Sequence, residues 1–327
     1  MTTAGARAPA DAATEYAAAR EASAVVDIPG RGVLAVNGPQ RIKFLHNIVS
    51  NDLLSRRPGQ GTLAALMDVK GHLVALMRAL VTEDAVQLEM PADRLDVVEP
   101  LLVHYRVGAP VRFARSPVVV FGLMGPRAME TMRQAGAELP AEMGREDHVL
   151  TTLGGRRVRI VRAGDFPAAG YVVHASPEDA ASVSEALAAA GATHVRPATL
   201  DVLRIEDGRP WYGPDIREDN LLHETGLIGE YHSPAKGCYV GQEVVARLEA
   251  RGANVNKKLR GLKLDLPVPS GTPVMQDGRE VGRVTTAGMS PRLGPIAMAY
   301  LHRSASEAGT TVEVDGRPAV VAALPLD

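Results

Sequence analysis

Lys236-Gly237-Cys238-Tyr239-Val240-Gly241-Gln242-Glu243, running on through Val244, Val245, Ala246 and Arg247, divides the chain into two textures. Upstream, strand-like and helix-like patterns alternate. Downstream, from Lys257, only short strands separated by turn residues remain. The stretch also holds the only cysteine of 327 residues, set between two glycines. Such glycines predict positive φ and close backbone approach, and Glu243 with Arg247 predicts an i, i+4 pair in the first turns of a helix. Lys236, two positions before Cys238, predicts a thiol with a lowered pKa.

Downstream, strands are expected at 259–264, 272–276, 280–286, 296–301, 311–314 and 318–324. Asp277-Gly278 and Asp315-Gly316 read as two-residue hairpin turns that need positive φ. A small β-barrel follows from that spacing. Upstream, strands at 33–36, 62–67, 72–81, 86–90 and 111–113 accompany helices opened by Asn37-Gly38-Pro39, ending near Asn51-Asp52, and by Pro91. A second series has strands at 118–123, 148–153, 157–162 and 171–174, with helices at 126–135, after Ser176-Pro177, and at 197–206, where Gly208 stops the last. The expected fold class is α+β, two similar units of antiparallel sheet with helices on one side, followed by the barrel.

Apolar residues make up 46% and charged residues 23%, the balance of a globular enzyme or binding protein. A net charge of −2 argues against a general nucleic-acid or membrane binder. One cysteine excludes an intramolecular disulfide and a protein-only four-cysteine site. His46, His72, His104, His223 and His232 lack metal-ligand spacing, so no metal site is expected. The first 21 residues lack the basic start and apolar core of a secretory signal, and no apolar run reaches membrane-spanning length. A cytoplasmic protein with its first ten residues disordered is the expectation. Trp211-Tyr212 reads as loop packing.

The eight residues from Lys236 to Glu243 resemble the signature of the YgfZ family, folate-binding relatives of the glycine cleavage T-protein linked to iron–sulfur protein assembly. Phe44 to Leu53, ending in Asn51-Asp52-Leu53, is similar to the helix-and-Asn-Asp element of the T-protein superfamily. Leu203-Arg204-Ile205-Glu206-Asp207-Gly208 is similar to its Arg-x-Glu-x-Gly segment, and Gly282 to Thr286 with Ser290-Pro291 to pieces of its barrel. The likeness runs from about Val33 to Pro325.

The resemblance implies a T-protein-like three-domain ring: an N-terminal segment at 1–30, partly disordered, a folate-binding region at 31–247 of two α+β units, and the barrel at 248–327. It implies tetrahydrofolate as cofactor, held in the central opening with its pterin bonded by Glu206, and Arg204, Asn51 and Asp52 as further folate contacts. A carboxylate accepts well from the adjacent N–H donors of a pterin. Cys238 is the implied reactive thiol, in a motif with Lys236, Gly237, Tyr239, Gly241, Gln242, Glu243 and Arg247.

The implied function is support of iron–sulfur enzyme assembly or repair, with folate and iron–sulfur client or assembly proteins as partners and no direct nucleic acid or membrane. The alternative is a folate-dependent one-carbon transferase of aminomethyl or methyl groups. Where T-proteins carry aspartates, this chain has Ala75 and Leu76, neither of which orients an amine or takes a proton, so glycine cleavage is not expected. A weaker reading is a cysteine hydrolase that pairs Cys238 with His232 or His223.

Overall fold

The computed structural model describes residues 11–168 and 170–327, so the expectation about the first ten residues lies outside the described residues. The chain opens with α1 (Ala12–Glu21) and β1 (Ala24–Asp27). It continues through β2 (Arg31–Asn37), α2 (Arg41–His46), β3 (Gly61–Met67), β4 (Leu73–Val81), β5 (Ala85–Pro91), α3 (Leu95–Tyr105) and β6 (Arg112–Ser116). Next come β7 (Val119–Met124), α4 (Ala128–Gln134), β8 (His148–Leu153), β9 (Arg156–Arg162), β10 (Tyr171–Ala175), α5 (Ala180–Ala189), β11 (Thr193–His194) and α6 (Pro197–Glu206). A largely irregular stretch carries α7 (Ile228–Tyr231) and α8 (Gln242–Ala250). The chain ends with β12 (Lys257–Lys263), β13 (Pro273–Gln276), β14 (Arg279–Ser290), β15 (Gly294–His302), β16 (Thr311–Val314) and β17 (Arg317–Ala322).

The first sheet has the order β3-β4-β5-β2-β6 and is antiparallel throughout. One face packs on α2 and α3 through residues such as Leu66, Met77, Leu88 and Leu102. The other meets Ile216, Leu222, Leu227, Tyr231, Tyr239 and Val245 of the irregular stretch. Burial on both faces explains the almost unbroken apolar run of β4.

The second sheet has the order β11-β1-β7-β10-β9-β8, parallel only between β1 and β11. It packs α4 and α5 on one face and α6 residues Leu200 and Leu203 on the other. Ala12 to Asp27 is therefore built into the second unit, and the units interleave along the chain. The buried Glu15 of α1 accepts from the backbone N–H of Arg196 at 3.1 Å and from its Nε at 2.7 Å, placing a carboxylate at the N-terminus of α6.

The six C-terminal strands close into a barrel, β12-β15-β14-β13-β16-β17. Both expected hairpin turns form, with φ of 50° and 74° at Asp277-Gly278 and 52° and 71° at Asp315-Gly316. The helix after Pro39 is shorter than expected: it stops at His46, and the Ser50 N–H then bonds the Ala65 carbonyl of β3 at 3.0 Å, drawing the chain onto the sheet. No helix among the described residues is long and apolar enough to cross a membrane.

Candidate functional site

Where the two sheets and the irregular stretch converge lies a narrow cavity of about 40 Å³. Its walls are apolar and aromatic: Ile28, Leu76, Phe166, Val172, Trp211, Tyr212 and Tyr231. Its polar groups are Arg31, Arg78, Glu89 and Asp165. An apolar cleft with a few convergent polar groups is the usual form of a small-molecule site.

The charges come from opposed strands. Arg78 of β4 stands directly across from Glu89 of β5, an isolated arginine and glutamate within apolar strands. The guanidinium bonds Glu89, Asp165 and, at 2.6 Å, Glu146. Glu89 also accepts from Arg31 at 2.8 Å and contacts His174 at 3.0 Å. Glu146 takes the Gly164 N–H at 2.7 Å and holds a left-handed φ of 62°, uncommon for a glutamate. Asp165, in the loop after β9, accepts the Tyr231 hydroxyl at 3.2 Å.

Burial works against charge on Arg78, yet Asp165, Glu89 and Glu146 hold its pKa well above the ordinary guanidinium value. Burial opposes charge on Glu89 as well, but the Arg78 and Arg31 guanidiniums keep its carboxyl well below the usual range. At Glu146 burial wins: its pKa is raised, with Arg78 opposing and the Asp165 charge reinforcing. Of the three carboxylates, Asp165 is the one solvent reaches, its side chain 22% exposed against 1% for Glu89 and 6% for Glu146.

Glu206 does not line this cavity. At the end of α6 its buried carboxylate turns toward α1 and the barrel, accepting from Tyr16 Oη at 2.8 Å, Arg20 Nη2 at 2.6 Å and Ser290 Oγ. Those donors fill the acceptor positions a pterin would need. Arg204 is wholly buried, bonded to Asp215 at 2.7 Å, Asp201 at 2.6 Å and the Arg209 carbonyl at 3.1 Å. It lies 4.7 Å over the Trp211 ring, so it positions a cavity wall from behind. Asn51 ties the Leu63 and Glu230 carbonyls together at 2.8 and 2.9 Å, and Asp52 caps its own turn at the Leu54 N–H. Neither lines the cavity. None of the four expected folate contacts lines this cavity.

The cysteine stretch packs on the β3–β4 turn. Gly241 has φ of 83° and caps α8; a Cβ there would lie 2.7 Å from the Asp68 carbonyl oxygen. Gly237 has no such demand, since a Cβ there meets nothing within 4 Å. Tyr239 is buried and Cys238 exposed. Lys236 donates to the His46 and Val49 carbonyls and lies 4.8 Å over the Tyr239 ring, with burial drawing its pKa down to about 8 against Asp52 and Cys238. Its amine is thus committed to the backbone after α2. The expected pair of Glu243 with Arg247 is not formed among the described residues, both side chains being exposed. His232 lies 5.8 Å from the Tyr239 ring in a tilted arrangement and faces Glu249 at 3.6 Å; neither it nor His223 hydrogen-bonds Cys238 in the structure.

Leu76 lines the cavity, and Ala75 packs away from it on the helix-covered face. Trp211 and Tyr212, expected as loop packing, are cavity walls. Asp165 and Tyr231 carry no sequence signal that separates them from surface residues. The Arg78 and Glu89 pair did carry one: lone charges inside apolar strands must find each other or lose stability.

Residues 6–229 match the family model of the GCVT N-terminal domain, and residues 257–326 match that of the glycine cleavage T-protein C-terminal barrel domain. An aminomethyltransferase of Thermus thermophilus is 30% identical over 321 residues, spanning 95% of this chain and 89% of that one. One from Rippkaea orientalis is 26% identical over 314 residues, spanning 93% and 85%. The crystal structure of the glycine cleavage system aminomethyltransferase T from Bartonella henselae has the same fold, with a TM-score of 0.84 over 96% of this chain and 89% of that one, at 23% identity.

Proposed function

Since the chain belongs to the glycine cleavage T-protein family, we propose that it binds a tetrahydrofolate in the central cavity and acts as a folate-dependent one-carbon transferase. The observation that carries the reading is Asp165: a partly exposed carboxylate, held by Arg78 and Tyr231, facing a cavity walled by Phe166, Trp211 and Tyr212. A carboxylate has about four acceptor positions and these two donors take two, so two remain for the paired N–H donors of a pterin. The aromatic walls suit a flat heterocycle. Phe166 and Trp211, whose centroids lie 6.1 Å apart, give way to admit it into the narrow cavity. Bound tetrahydrofolate would supply the nitrogen atoms that carry the one-carbon unit. The chain's own part is to hold the ring through Asp165, fix Asp165 in place through Arg78 and Tyr231, and exclude water with the aromatic walls.

Leu76 in the cavity wall supports a donor other than glycine's aminomethyl group, because no carboxylate stands there to take or orient a proton. Calorimetric titration of tetrahydrofolate tests the binding. Asp165→Asn should weaken it about thirtyfold, as expected for loss of a charge-assisted pair of about 2 kcal/mol. Equal affinity of parent and variant would overturn the assignment.

A second reading, favoured by the exposed Cys238 in its Lys-Gly-Cys-Tyr-Val-Gly-Gln-Glu setting, is a YgfZ-like role in assembly or repair of iron–sulfur enzymes. Its support is that this thiol lies outside the cavity, open to a partner protein, while folate binding serves both readings. Full restoration of iron–sulfur enzyme activity by Cys238→Ser in a strain lacking the protein would exclude it.

A further inference from the structure

Strand β9 carries arginines on both faces. Val158 and Ile160 point into the core under α4 and α5, so strand alternation turns Arg157 and Arg159 to the opposite face. They lie at the end of β9 away from the loop that carries Asp165. Alternate residues of a strand are about 7 Å apart, which makes the two guanidiniums neighbours. Arg159 stands directly across from His174 of β10 on one side and Leu150 of β8 on the other.

Arg159 is half-buried and meets the Nδ1 of His148 at 2.7 Å. That ring spends its Nε2 proton on the Val81 carbonyl at 2.9 Å, so it receives the guanidinium as a neutral acceptor. Among the described residues no carboxylate pairs with Arg157 or Arg159. The acids beside them are committed elsewhere: Glu89, behind His174, to Arg78 and Arg31, and Asp179 to Arg156 at 3.4 Å. Burial and then the Arg157 charge draw the Arg159 pKa below the ordinary guanidinium value. A guanidinium taken from water beside a like charge is costly unless an anion joins it. Leu150, opposite, is 45% exposed, so this face is open to a ligand.

We propose that Arg157 and Arg159 hold a phosphate group on this face of β9, in a binding site separate from the central cavity. A tetrahedral oxyanion between them accepts N–H bonds from both guanidiniums, the recognition to which arginine's planar fork is suited. His148 holds one guanidinium in place, and Leu150 offers an apolar surface to the group the phosphate is attached to.

The test is an NMR titration of the full chain with inorganic phosphate at pH 7, following the ring signal of His148, identified by its loss in His148→Gln. The signal should move saturably, with half-saturation at about 1 mM. Potassium chloride at equal ionic strength should leave it in place. The charged and titratable groups that face His148 are Arg159 of β9 and His174 of β10. Phosphate on Arg159 offsets the first of these, so the His148 pKa should rise from about 4 when phosphate is present. Arg157→Gln, at an exposed position, should weaken phosphate about tenfold, and Arg159→Gln should abolish the saturable response. Phenyl phosphate separates an ester from the free ion: it should bind more tightly through Leu150, and equal affinity would assign the site to free phosphate. The chloride comparison and the pH titration use the unaltered chain, so they hold even if a variant folds poorly. A His148 signal that phosphate does not move, or moves no more than chloride does, overturns the site. So does a phosphate affinity that neither arginine variant changes.

Discussion

Tyr231 of α7 donates its hydroxyl to Asp165 across 3.2 Å, joining the irregular stretch to the second unit at the cavity carboxylate that solvent reaches. Burial, reinforced by the Asp165 charge, pushes the Tyr231 phenol well above its ordinary pKa, so it remains a donor throughout the working range. Asp165 is therefore held from two sides, by a phenol and a guanidinium, before any ligand arrives. Pre-positioning of this kind lowers the ordering cost of binding.

Glu206 is bonded within the protein by Tyr16, Arg20 and Ser290. Glu206→Gln should lower unfolding free energy by about 2 kcal/mol, since it weakens charge-assisted bonds to Arg20, Tyr16 and Ser290. Tetrahydrofolate affinity should be unchanged. Denaturant unfolding and calorimetry on the same variant check both; unaltered stability with weakened folate would return Glu206 to the binding site.

Arg78 balances three carboxylates while almost entirely buried. Arg78→Met should cost about 3–5 kcal/mol, the usual consequence of leaving buried charge without its partner. Part of that loss should return as pH falls toward 5, because the stranded Glu146 then binds a proton more readily folded than unfolded, while Glu89 keeps Arg31. A variant whose stability falls with acid as steeply as the parent's would contradict this account.

His148 makes stability depend on pH in the opposite sense. Its Nε2 bonds the Val81 carbonyl at 2.9 Å and its Nδ1 faces Arg159 at 2.7 Å, an arrangement for the neutral ring with the proton on Nε2. Burial and then the Arg159 charge draw its pKa from 6.5 down to about 4. The unfolded chain takes the proton first as pH falls, so this contribution is present above pH 6.5 and is lost progressively toward pH 4. The loss should be on the order of 3 kcal/mol, and His148→Gln should flatten that limb of the stability curve. Urea titrations at pH 7, 6, 5 and 4.5 measure it.

Cys238 is exposed and makes no packing contribution that serine would lack. Cys238→Ser should melt within about 0.5 kcal/mol of the parent. Iodoacetamide should label the native thiol as readily as the unfolded chain does. Native labelling much slower than unfolded would mean a shielded thiol and would remove the basis for any partner reaching it.

Short-range features were legible from residue order. The Asp277-Gly278 and Asp315-Gly316 turns, the α6 helix from its first-turn Pro197 to the stop at Gly208, and the strand pairs around them formed as read. Each depends on the backbone preferences of a few adjacent residues, which the sequence states directly. The site was legible only in part. Leu76 announced the missing carboxylate, because strand alternation places it with Arg78 toward one cavity. Which carboxylate meets that cavity was decided by tertiary structure alone. Glu206 is bound by Tyr16 and Ser290, 190 and 84 residues away, and Asp165 by Arg78 and Tyr231, 87 and 66 residues away. A carboxylate's direction follows from the donors packed around it, and those come from segments that only the folded chain brings together.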